Sequence, residues 1–191
     1  PMLLLSEYIR DNTDIKIVLS GEGADEASGS YLYFHNAPDP ESFQDECIRL
    51  LQDVQYFDVL RGDKTTAGAG LEIRVPFFDK TFMEYYMSIL PEKKMVRDGM
   101  EKYLLRKAFE NDLPKDVVWR RKDGFSDGVS SFDKPWHEII EEYAQKKFNM
   151  NETDMYKHIY DKYYSGSYNI PYMWMPKWSN SKDPSNRSIV L

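Results

Sequence analysis

The 191-residue sequence holds one cysteine, Cys47, and three histidines, His35, His137 and His158, set far apart. A lone thiol excludes an intrachain disulfide framework and a cysteine-based zinc cluster, and the histidine spacing offers no metal-ligand pattern. No run of about 18 apolar residues occurs, so no segment is built to cross a bilayer as a helix. Positive charge is in short supply: 25 Lys and Arg against 32 Asp and Glu leave −7, which argues against a broad nucleic-acid-binding face. Neither a Walker-type phosphate loop nor a dinucleotide fingerprint is present. Repeats and low-complexity tracts are absent too. Aromatic residues, at 15%, give ample material for a packed core and exclude disorder of the whole chain. One thiol and no signal peptide fit a reducing, cytoplasmic compartment.

Hydrophobic patterning predicts a mostly helical chain with at least one strand. Leu3–Arg10 reads as a short helix, and Ile15–Leu19, rich in β-branched residues, as a strand. A lone strand is not stable, so this one must pair with strands that the chain need not itself contain. Asp39 as cap and Pro40 at the first helical position open the clearest helix. Its apolar stripe runs Phe43, Cys47, Leu50, Leu51, Val54 and Phe57. Continuing the stripe reaches Asp58 and Arg61, charges at places where the period asks for core. Glycines at 62, 68 and 70 loosen the pattern, and 73–78 reads as extended. Further helices are expected at 80–90, 100–111, 114–119, 136–148 and 153–164. No linker long enough to divide the chain is evident.

Three stretches could carry chemistry. Ser20-Gly21-Glu22-Gly23-Ala24-Asp25-Glu26 follows the strand and precedes a helix, the place where open α/β sheets bind ligands. Its three carboxylates would repel a bare phosphate and suit a Mg²⁺-bound nucleotide; equally, they are acids at a helix start. Asp58 and Arg61, with Lys64 one turn on, can meet on one helix face, either as a ligand site or as a self-satisfied ion pair. Trp119–Gly128 gathers Arg120, Arg121 and Lys122 on a glycine-bearing loop, which could clamp phosphate oxygens or simply be solvated. Cys47 belongs to the apolar stripe. The aromatic stretch Pro171–Trp178 either stacks bases or packs over the domain.

Together these motifs resemble the synthetase domain of glutamine-hydrolysing asparagine synthetases, in their eukaryotic wording. The resemblance rests on Ser20–Glu26, Tyr31-Leu32-Tyr33-Phe34-His35-Asn36-Ala37-Pro38, Phe57–Arg61 and Arg74–Asp79. It continues in order through Glu101–Arg106, Trp119–Gly128, Trp174–Trp178 and Asp183–Arg187. It implies the C-terminal part of an α/β, adenine-nucleotide alpha-hydrolase-like (pyrophosphate-loop ATPase) synthetase domain over 1–191. The implied ligase uses ATP, Mg²⁺, L-aspartate and ammonia from glutamine, and passes through β-aspartyl-AMP. By resemblance, Ser20 and Gly21 contact ATP, Glu22 acts at the intermediate as a base, and Asp25 holds Mg²⁺. Asp58 and Arg61 shape the aspartate and phosphate side, and Lys122 holds pyrophosphate.

Departures from the family temper this. Neither the glutaminase domain nor the SGGxDS loop lies in the sequence, which begins at Pro1, so a fragment inactive in isolation is expected. Ala27-Ser28 stands where the family has bulkier apolar residues, and 148–154 is shorter than its usual insert. A non-catalytic relic or split subunit that binds nucleotide or docks on a full-length synthetase is the alternative. A β-lactam synthetase is disfavoured because such enzymes carry tyrosine at the position of Glu22. No nucleic-acid or membrane partner is expected, and assembly into a homo-oligomer is left open.

Overall fold

The computed structural model describes residues 1–124, 134, 136–164, 172 and 174–179. In it the predicted strand shortens to β1 (Ile17–Leu19) and finds its partner inside the chain. β2 (Glu72–Arg74) runs parallel to it in the register Ile17↔Glu72, Val18↔Ile73, Leu19↔Arg74. One partner for the strand is thus supplied within the chain. Pro76 explains why the extended run is short: it lacks an N–H and instead opens a 3₁₀ turn, Pro76–Phe78. Among the described residues the sheet has these two strands, with Ile17 and Leu19 exposed.

The described residues fall into two compact units, and their boundary at Lys122–Asp123 carries no linker signature in the sequence. The first takes Pro1–Lys122 and residues 176–179. Its helices are α1 (Met2–Asn12), α2 (Ala24–Ser28), α3 (Pro40–Asp53), α4 (Asp58–Gly68), α5 (Lys80–Ser88), α6 (Pro91–Lys94), α7 (Tyr103–Ala108) and α8 (Lys115–Val118). Its core lies between α2, α3 and the 3₁₀ turn Leu32–Asn36. Phe43 and Cys47 are wholly buried there with Tyr33, Phe34, Ala27 and Leu50. Burial pushes the Cys47 thiol up to about 12, so it is an inert core residue. Gly29 ends α2 in the left-handed region at φ 57°, where a side chain would also run into the Phe43 ring. Ala27 and Ser28, smaller than the family's usual residues, are both buried beside this crowding.

α3 starts as its sequence asks: the Asp39 carboxylate accepts from the Ser42 amide at 2.7 Å, with Pro40 in the first turn. It does not run on to Arg61. A 3₁₀ turn (Val54–Tyr56) and the non-helical Phe57, at φ −123° and ψ −110°, break it, and α4 begins afresh at Asp58. The charges that seemed to interrupt a core stripe therefore sit in the first turn of a new helix. There the Arg61 side chain is 42% and Asp58 35% exposed. Gly62 does not break α4, which runs to Gly68 and turns Gly62 and Thr66 inward.

The C-terminal aromatic stretch packs over this unit where it is described. Trp178 meets the rings of Tyr33 and Phe34, and Lys177 reaches the buried Glu46 at 3.0 Å. The second unit contains α9 (Trp136–Phe148) and α10 (Glu152–Tyr164), joined around buried Ala144 and Met155. Asn151 opens α10 by accepting from the Asp154 amide at 2.8 Å. No described helix is long and apolar enough to cross a membrane.

Candidate active site

The elbow between β1 and α2 is built by chain geometry. Ser20 continues the ladder, its amide donating to the Arg74 carbonyl at 2.9 Å. Gly23 then turns the chain at φ 91°, a conformation that costs a side chain dearly. A Cβ there would also lie 2.6 Å from the Phe78 ring. The Glu22 amide donates to Ser20 Oγ at 3.4 Å. α2 is only five residues long, so its acids are held by specific partners rather than by a helix dipole.

Asp25 is the most heavily engaged of these acids. It accepts from Ser30 Oγ at 2.5 Å and from Lys122 Nζ at 2.7 Å, and it also pairs with Lys102. Burial alone would raise its pKa; the two ammonium groups overcome that and hold it well below the ordinary carboxylate range. Lys122 turns inward from the basic loop while Arg120 and Arg121 stay exposed. The residues of that loop from 125 to 133 lie outside the described set.

Lys102 escaped the sequence reading, although its motif was noted. It takes a left-handed backbone conformation, φ 55°, just before α7. The motif residues around it fold back as a brace. Arg106 Nη2 meets Glu101 at 2.7 Å and its Nε donates to the Glu101 carbonyl at 2.9 Å. His35 lies 3.5 Å from the same carboxylate, which is 3% exposed. A Glu-Lys pair followed five residues after the Glu by an Arg is the signal that could have found it.

A second cluster joins the elbow to α4. Arg61 meets Asp58 Oδ1 at 2.8 Å and Glu22 Oε1 at 3.3 Å. Burial raises the Glu22 pKa, with nearby Asp58 and Asp25 adding to the rise and Arg61 opposing it. Burial would lower the Arg61 pKa, but Asp58 and Glu22 raise it on balance. Lys64, grouped with this pair from spacing, pairs instead with Asp63 at 2.9 Å on the exposed side. The structure thus brings Ser20, Gly21, Glu22 and Asp25 onto one turn, with Asp58 and Arg61 at Glu22 and Lys122 at Asp25.

Glu26, also missed, is 3% exposed and accepts from the Tyr31 hydroxyl at 2.6 Å. Burial, reinforced by Asp58 and opposed by Tyr31, pushes its pKa up to about 7. Around the elbow, Glu22, Asp25 and Asp58 meet Arg61, Lys102 and Lys122. The raised pKa makes a testable prediction. The folded chain holds the Glu26 proton more tightly than the unfolded chain. That stabilisation is complete below about pH 4.5 and is lost as pH rises through about 7. Glu26→Gln should therefore leave stability unchanged near pH 4.5 and raise it by up to about 3 kcal/mol near pH 8. Urea unfolding at both pH values measures this; an equal shift at the two would contradict it.

This fold and turn fit one class of protein, and comparison with known proteins identifies the class. The chain belongs to the asparagine synthase family, whose sequence profile matches residues 1–44 and 36–180. It is 44% identical over 209 aligned positions to the glutamine-hydrolysing asparagine synthetase of Homo sapiens, covering 99% of this chain. The counterpart of Bos taurus is 43% identical over the same span, and that of Gallus gallus 44% identical over 208 positions. The chain spans 37% of the length of these relatives.

Proposed function

We propose that this chain supplies the C-terminal part of a synthetase domain of the adenine-nucleotide alpha-hydrolase type, which makes L-asparagine from L-aspartate, ATP and ammonia derived from glutamine. The observation that carries this is the pair of charge clusters flanking one strand-to-helix elbow. One is built on Glu22 and the other on Asp25, in a chain 44% identical to such synthetases. A cytoplasmic setting fits these substrates.

In the first step the aspartate side-chain carboxylate attacks the α-phosphorus of ATP. A phosphorus–oxygen bond forms, the α–β bridge breaks, and pyrophosphate leaves. Lys122 and Lys102 sit where they can take the charge that grows on the leaving group. Ser20 and the Gly21 amide face the nucleotide, and Arg61, fixed by Asp58, faces the aspartate and its new acyl-phosphate linkage. In the second step ammonia attacks the acyl carbon, the acyl–oxygen bond breaks, and AMP leaves. Glu22 takes the proton shed by nitrogen, a task suited by its raised pKa.

No cluster of three metal-ligating side chains occurs among the described residues, so these residues do not form an all-protein Mg²⁺ cage. One carboxylate together with substrate phosphates is the usual protein share of a Mg²⁺–nucleotide site, and Asp25 can give that share once Lys102 and Lys122, which pair with its two oxygens, turn to the phosphates. When bound, Mg²⁺ would neutralise phosphate charge, with Asp25 as its protein ligand.

The test is ATP–pyrophosphate exchange in the full-length protein. Exchange should require L-aspartate, and Glu22→Gln should preserve exchange while slowing asparagine formation about 10²-fold or more. Exchange without aspartate, or unchanged asparagine formation in Glu22→Gln, would overturn the reading.

A further inference from the structure

The Tyr31 hydroxyl stands between two carboxylates, 2.6 Å from Glu26 Oε1 on α2 and 3.1 Å from Asp58 Oδ2 on α4. Asp58 uses its other oxygen, Oδ1, to hold Arg61 Nη1, and Arg61 Nη2 reaches on to Glu22. A chain of polar contacts therefore runs from α2 through Tyr31 and α4 back to the elbow. We propose that Tyr31 is a positioning residue for the Glu22 side of the site: by holding one oxygen of Asp58 it fixes the carboxylate that aims Arg61 at Glu22.

The physical reason lies in the order of the contacts. Tyr31 and Arg61 hold Asp58 from two sides, Tyr31 at Oδ2 and Arg61 at Oδ1. Remove the hydroxyl, and Asp58 loses a contact that fixes the plane of its carboxylate. Arg61 then loses the anchor that aims it at Glu22, where its contact is already the longer, 3.3 Å against 2.8 Å. Glu22 would keep its place in the chain but lose the partner that orients it. The Tyr31 ring itself lies stacked on Tyr33, centroids 6.1 Å apart and planes 6° from parallel. Tyr31→Phe keeps that stack and removes only the hydroxyl.

This inference rests on the proposed function, and the experiment separates the two. Tyr31→Phe, Asp58→Asn and the double variant are compared in the full-length protein by asparagine formation, the KM for ATP and thermal unfolding. Tyr31→Phe should lower kcat about tenfold or more with the KM for ATP unchanged, in a protein that thermal unfolding shows to be folded at the assay temperature. Because both residues act through one contact, the double variant should be no slower than Asp58→Asn alone. Wild-type kcat in Tyr31→Phe, or losses that multiply in the double variant, would overturn the role of Tyr31. Full activity in Asp58→Asn would overturn the functional reading itself.

Discussion

Replacing Lys122 with alanine is expected to lower aspartate-dependent ATP–pyrophosphate exchange by about 10²- to 10³-fold, the usual cost of removing a preorganised charge stabiliser. The loss should fall on kcat more than on the KM for aspartate, because Lys122 sits at Asp25 and away from the Asp58–Arg61 pair. It should not come from unfolding. Asp25 keeps Lys102 and Ser30 as partners, so no buried carboxylate is stranded. Lys122→Arg should recover part of the rate, since the charge returns with a different reach. Stopped exchange with an unchanged unfolding curve supports the assignment; near-wild-type exchange in Lys122→Ala removes it.

Glu46→Ala should destabilise the first unit by about 3–5 kcal/mol, the cost of breaking a buried ion pair from one side. Glu46 is wholly buried and is the common acceptor for three groups: the Tyr33 hydroxyl at 2.7 Å, Arg49 at 2.6 Å and Lys177 at 3.0 Å. Burial would raise its pKa, but these partners, Arg49 and Tyr33 foremost, bring it below the usual range. Alanine would leave the Tyr33 hydroxyl in the core without this acceptor and free the Lys177 tether. Because a domain holds only about 5–15 kcal/mol in all, the variant should approach the edge of folding. Glu46→Gln, which keeps an acceptor for Tyr33, should lose less. The contribution of the ionised Glu46 is present above the ordinary glutamate pKa and fades as pH falls below it. The gap between wild type and Glu46→Ala should therefore narrow in acid, as chemical unfolding would record. A gap independent of pH would contradict the electrostatic account.

Much of this was legible in the residues, for reasons that differ by element. α3 was readable because its cap, its proline and its apolar spacing are local signals that agree. The elbow was readable as a turn because glycines follow a β-branched run, while spacing alone left its acids open between a ligand site and a helix start. The end of α3 was not readable, since Phe57 continues the apolar period and the break depends on its backbone angles. The partner of β1 was missed because β2 is three residues long and lies far along the chain from β1, beyond α2, α3 and α4. Within the site, Asp58 and Arg61 were found by spacing though they are half-exposed, and the stripe argument that singled them out did not hold. Lys102, Glu26 and Tyr31 were missed because their roles arise from contacts across the chain. Lys102 meets Asp25 from far along the sequence, and Tyr31 meets Asp58 on another helix.

The account depends on the Glu22 cluster and the Asp25 cluster facing one bound intermediate. A crystal structure of the full-length protein with a non-hydrolysable β-aspartyl-adenylate analogue and pyrophosphate tests it most directly. The acyl carbon should lie beside Glu22 and Arg61, and pyrophosphate should lie on Lys122 and Lys102. An adenylate bound away from the turn at Ser20–Glu26, with both charge clusters still closed on themselves, would contradict it.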